Sequence, residues 1–161
     1  MKTEIYSREK IGELIAKGFP KNTAAISFRD RPMMPNDPYC VPVKYPPGVA
    51  VFHCVADDVA YDDFTFEHPK TYKVTLDKFF MDATKMADFI LEQTAKGVET
   101  IICQCEHGQS RSAGAAAAIE EFYNNNGGSI FADYRYCPNQ IIYNKLIKAL
   151  VTQNLLRAVK S

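Results

Sequence analysis

Cys105 and Arg111 stand six positions apart in the run Cys105-Glu106-His107-Gly108-Gln109-Ser110-Arg111-Ser112. A thiol is a nucleophile as its thiolate, a form favoured at a helix N-terminus and beside a guanidinium. Arg111 supplies a planar fork that can hold two oxygens of a phosphate, which Lys cannot match. Gly108 permits a backbone turn that a side chain would resist. Ser112 can donate a hydrogen bond to the sulfur. The chemistry implied is attack of sulfur on a bound oxyanion, with the residues that bind the anion also activating the nucleophile.

The elements around this run can position it. Val98 to Cys103 is apolar and β-branched and reads as a buried strand. Ser112 to Tyr123 is rich in Ala and reads as a helix. A strand, a tight loop and a helix N-terminus make an anion cradle. Loop N–H groups, here those of Glu106, His107, Gly108, Gln109, Ser110 and Arg111, converge on the ligand, and the helix dipole adds positive charge.

At these residues the chain resembles the cysteine-dependent protein phosphatases, the tyrosine and dual-specificity superfamily, in the form of a compact, bacterial-type member. The family signature is Cys, five residues, Arg, then Ser or Thr. One departure is that many members carry His before the Cys, where this chain has Gln104. The resemblance implies a phosphocysteine intermediate on Cys105, transition-state binding by Arg111 and the loop amides, and no metal or other cofactor. It also implies an Asp on the loop after a neighbouring strand as proton donor to the leaving oxygen. Asp58, after Val51-Phe52-His53-Cys54-Val55-Ala56-Asp57, is the best match, with Asp57 second and Asp62 and Asp63 as further candidates. Pro138-Asn139 resembles a short feature near the end of these phosphatases in which the Asn supports the cradle. The alternative is that Pro138 is simply the first residue of a helix.

The rest of the chain agrees with a single α/β domain over residues 1–161. Hydrophobic residues make up 47% of it, enough for a core. The formal net charge is zero, which gives no reason to expect nucleic acid or an anionic membrane surface as partner. The five cysteines (Cys40, Cys54, Cys103, Cys105 and Cys137) form no disulfide or zinc pattern, and no apolar run reaches membrane-spanning length, so a cytoplasmic enzyme is expected. Ser7 to Gly18 reads as a capped short helix and Thr23 to Phe28 as a strand. A Pro-rich loop covers 29–48, and its Arg29, Asp30 and Arg31 either approach the site rim or are ordinary surface charges. Val49 to Val55 reads as a second strand. A helix is expected from about Leu76 to Lys96, capped by Thr75 with Asp77 in its first turn. A last helix should begin at Pro138, and Ser129 to Tyr134 is either a short helix or irregular. Alternating strands and helices indicate a central, mostly parallel twisted sheet with helices on its faces, a three-layer sandwich.

The expected function is therefore hydrolysis of a phosphomonoester, on protein phosphotyrosine or on phosphoserine and phosphothreonine as well. The alternatives are a phosphatase for an inositol phosphate or another small molecule, and a phosphate-binding pseudophosphatase. A rhodanese-like sulfurtransferase also builds a loop around a Cys, but Ser110-Arg111-Ser112 and the Asp57-Asp58 pair favour phosphatase chemistry. Glu106, His107 and Gln109 in the variable positions disfavour a highly charged substrate.

Overall fold

The structure, a computed structural model, describes residues 1–37, 40–60 and 78–160. Its elements are β1 (Lys2–Tyr6), α1 (Arg8–Lys17), β2 (Thr23–Arg29), β3 (Val51–Val55), α2 (Ala83–Ala95), β4 (Thr100–Gln104), α3 (Arg111–Asn124), α4 (Gly128–Ala132) and α5 (Gln140–Lys160). The four strands form one parallel sheet in the order β1-β4-β2-β3. Parallel strands covered on both faces need apolar side chains on both. The two inner strands show this: six of the seven β2 residues are buried, as is β4 from Ile101 to Gln104.

Alternation along β4 separates two cores. Ile101 and Cys103 face α2, α3 and α5, packing with Met86, Ile90, Ile119, Ile142 and Leu146. Ile102 faces the other way, onto Ala25 of β2 and Ile11 of α1. Helices therefore cover both faces, giving the expected three layers. Helix α3 is buried without interruption from Arg111 to Ile119, so it runs through the interior rather than over it. Its Ala run suits that position, because small side chains let neighbours approach closely. A Cβ on Gly114 would lie 2.5 Å from the carbonyl oxygen of Asn139, at the start of α5.

Several boundaries differ from the sequence expectation. β1 was not expected at all. Helix α2 starts at Ala83, because Phe80 has φ of +53° and no right-handed helix passes through it. The apolar period of Phe79 and Phe80 reflects burial of both rings in the core, outside any helix. The cap at Thr75, with Leu76 and Asp77, lies outside the described residues, as do Asp62 and Asp63. Pro138 does not open α5. Asn139 does, accepting the Ile142 N–H at 3.0 Å on its side-chain oxygen while its carbonyl accepts from Tyr143. Helix α1 matches its expectation: Ser7 accepts the Lys10 N–H at 3.2 Å, and the Gly18 N–H closes on Ile15.

Candidate active site

In parallel sheets ligands sit beyond the carboxyl ends of the strands. Here Asp30 follows β2, Ala56 to Asp58 follow β3, and Cys105 follows β4, so all three loops meet at one end of the sheet. The loop from Cys105 to Ser110 turns from β4 into α3. Cys105 is 2% exposed, with its Sγ 3.0 Å from Ser112 Oγ in the first turn of α3. The N–H groups of Glu106 to Ser110 donate to no protein acceptor among the described residues. Unpaired loop donors at a helix N-terminus are what an anion needs.

β1 braces this loop from one side. Cys105 N–H donates to the Tyr6 carbonyl at 3.3 Å, and Arg8 N–H to the Glu106 carbonyl at 3.0 Å. Gly108 has φ of +68° and packs directly on the Tyr6–Ser7 backbone. The Arg8 guanidinium lies 3.8 Å from the Glu106 carboxylate. None of these contacts was anticipated, because β1 itself was not. His107 and Gln109 are exposed at the loop tip.

Arg111 is held from the other side. Its side chain is only 4% exposed. Nη1 donates to Asp30 Oδ1 at 2.6 Å and to the Ala56 carbonyl at 2.7 Å, while Nε is buried without a partner. A buried guanidinium N–H is costly to leave unsatisfied. A bound oxyanion accepting from that N–H would satisfy it. Asp30 thus belongs to the site and is not an ordinary surface charge.

Asp58 reaches the loop directly from the end of β3. Its Oδ1 accepts from Ser110 Oγ at 2.6 Å and from Asn139 Nδ2 at 3.1 Å. The same Asn139 amide donates to the Val59 carbonyl at 2.8 Å, so one residue caps α5 and ties down the Asp58 loop. Asp57 is turned to a different partner. Its oxygens accept from the Arg31 backbone N–H at 2.9 Å and from Arg31 Nε at 2.8 Å. Burial pushes the Asp57 carboxyl up, but the hydrogen bonds and charge of Arg31 outweigh it and hold the group below its ordinary value.

Gln104 occupies the position before Cys105. It is 1% exposed and points to the α1 side of the sheet, where Ser27 Oγ donates to its Oε1 at 2.7 Å and its Nε2 has no partner. The nearby Tyr45 hydroxyl is pushed up to about 12, chiefly by burial.

A disulfide between Cys54 and Cys105 would require β3 and β4 to be neighbours. They are not: β2 lies between them, with Phe28 paired to Cys54 and Ser27 paired to Gln104. Two strand spacings, about 9.6 Å, exceed the roughly 7 Å limit on Cα separation. Cys54 is a buried small apolar residue in the core, its thiol pushed up to about 12, mainly by burial. Among the described residues no group of His, Cys, Asp and Glu could hold a metal ion, and no helix is long and apolar enough to cross a membrane.

No protein-family model matches the sequence, and no curated protein matches it significantly. Solved structures do match. Human DUSP28 superposes with a TM-score of 0.53 at 16% identity, over 94% of this chain and 90% of that one. PTPMT1 in complex with PI(5)P gives 0.53 at 14% identity, over 98% and 94%. OH1 from the Orf virus, a tyrosine phosphatase with triple substrate specificity, gives 0.51 at 12% identity, over 94% and 83%. With a parallel sheet ending in a Cys-x5-Arg loop and helices on both faces, the chain has the fold of the cysteine-dependent tyrosine and dual-specificity phosphatases.

Proposed function

We propose that the chain is a phosphomonoester hydrolase acting on protein phosphotyrosine, with phosphoserine and phosphothreonine as further substrates. The observation that carries this reading is Arg111: a buried guanidinium in the first turn after the Cys105 loop, with one terminal nitrogen fixed by Asp30 and Ala56 and its Nε without a protein partner. Such a fork is pre-oriented for a phosphoryl group and need not reorganise as charge develops. Cys105 Sγ attacks phosphorus while the phosphate oxygens lie on the loop N–H groups and Arg111. The bond to the leaving oxygen breaks, and Asp58 gives that oxygen its proton. Ser112 then donates to sulfur, which must leave in the second step. The Asp58 carboxylate takes a proton from water, the resulting hydroxide displaces sulfur, and inorganic phosphate departs.

Glu106 in the loop and the absence of Lys from it favour a protein monoester over a polyphosphorylated ligand. The test is turnover of a phosphotyrosine peptide, a phosphoserine peptide and an inositol phosphate panel, by the parent and by Cys105→Ser. The expected result is hydrolysis of the phosphotyrosine peptide, and more slowly of the phosphoserine peptide, by the parent alone, with phosphate binding kept by Cys105→Ser. Faster turnover of inositol phosphates would move the reading to a small-molecule phosphatase. Phosphate binding without turnover of any substrate would make the chain a pseudophosphatase, and appreciable turnover by Cys105→Ser would remove the thiolate mechanism.

A further inference from the structure

The contacts at the mouth of the site close into a ring. Asp30 binds Arg111 at 2.6 Å, and Ser110, next to Arg111, donates to Asp58 at 2.6 Å. Asp57, next to Asp58, receives the backbone N–H of Arg31 at 2.9 Å, its Nε at 2.8 Å and its Nη2 at 2.7 Å. Arg31 follows Asp30, which completes the circuit. The loops after β2 and β3 and the cradle itself are thus locked to one another by three side-chain joints and three peptide links. A backbone bond from Ala56 N–H to the Arg29 carbonyl at 3.0 Å runs beside the Arg31 joint.

We propose that Arg31 is a positioning residue that selects which of two adjacent carboxylates serves the cradle: by gripping Asp57, it leaves Asp58 turned to Ser110 and Asn139. The inference rests on Asp58 being the proton donor. Arg31 is 59% exposed and Asp57 34%, so the pair adds little to stability. Its effect lies in geometry. A planar fork and a backbone N–H on both oxygens fix the orientation of the Asp57 carboxylate, which a single contact would not. Without Arg31, Asp57 and Asp58 become rivals for the Ser110 hydroxyl and the Asn139 amide, and neither is held where a leaving oxygen would need it. The loop would also gain an uncompensated negative charge facing a dianionic substrate.

Arg31→Ala and Arg31→Lys separate the two effects. Phenyl phosphate, with a poor leaving group, and dinitrophenyl phosphate, with a good one, are the substrates. The position of Asp58 is read by its side-chain carboxyl carbon signal in isotope-labelled protein, assigned with Asp58→Asn. Arg31→Ala should raise KM for both substrates, lower kcat for phenyl phosphate by ~10-fold more than for dinitrophenyl phosphate, and shift the Asp58 signal. Arg31→Lys should restore KM through its charge yet keep most of the kcat difference, because Lys lacks the fork. An unmoved Asp58 signal overturns the proposal whatever the proton donor is. Equal kcat losses on both substrates overturn it if Asp58→Asn itself discriminates between them. If Asp58→Asn does not discriminate, the acid assignment has failed, and the carboxyl signal alone decides whether Arg31 sets the loop.

Discussion

Gly108→Ala is the most direct probe of how the cradle is built. Gly108 has φ of +68°, and an added Cβ would lie 2.5 Å from Ser7 N, 2.7 Å from the Tyr6 carbonyl carbon and 3.0 Å from Ser7 Cα. These are backbone atoms of a paired strand end and a helix cap, so no side-chain rotation relieves the contact. The left-handed conformation alone costs Ala about 1–2 kcal/mol. Forcing the loop away from β1 adds about 1–3 kcal/mol on the scale of overpacked interiors. The sum, about 2–5 kcal/mol, is a large part of a typical ~5–15 kcal/mol domain stability. Gly97→Ala is the control, since Gly97 has φ of +89° but nothing within 4 Å of its Cβ position. It should lose only the conformational part, about 1–2 kcal/mol, and keep full activity. Urea unfolding of both variants measures the difference, and hydrolysis of an aryl phosphate measures the displacement of the loop. Misplacement of reacting groups by about 1 Å costs on the order of 100-fold in rate, so Gly108→Ala should be nearly inactive even while folded. If the two variants lose equal stability, or if Gly108→Ala keeps parental kcat, then the Tyr6–Ser7 contact does not shape the site.

Two further outcomes follow from the same geometry. Arg111→Lys should lower kcat by about 100-fold or more while still binding phosphate, because a compact ammonium lacks the planar fork that can hold Asp30 and the Ala56 carbonyl at one edge and two phosphoryl oxygens at another; near-parental kcat would make the fork irrelevant. Mild peroxide should inactivate the chain at Cys105, and Cys54→Ala should recover on thiol reduction to the same extent as the parent, because β2 separates the two cysteines; a recovery deficit in Cys54→Ala would show that the loop moves far enough to bring them together.

What the sequence made legible was whatever is local. The inner strands stand out because both their faces are buried, and α1 because its cap residues adjoin its apolar stripe. β1 escaped notice for the opposite reason. Lys2-Thr3-Glu4-Ile5-Tyr6 is short and polar on an edge, and it is a strand through pairing such as Ile5 with Cys103, which no local pattern reveals. The helix expected from Leu76 failed at Phe80, where the core takes two aromatic rings from non-helical backbone. A run of apolar residues at helical spacing reports burial, and burial has more than one conformational solution.

The site divides along the same line. Cys105, Arg111 and Ser112 lie within one turn-and-helix segment, so their spacing carries the geometry. Asp30 and Arg111 are 81 positions apart, and they meet only because β2 lies beside β4. That strand order also decides how the cradle keeps its shape. With β4 between β1 and β2, the loop after β4 is flanked on one side by Tyr6 to Arg8, which hold its backbone, and on the other by Asp30 and Ala56, which hold its guanidinium. Were β4 at an edge, one of these supports would be missing and the loop would have to order itself around each anion. The entropy of that ordering would count against binding and catalysis alike. The inner position of β4 therefore holds the donors of a short loop in place before any ligand arrives.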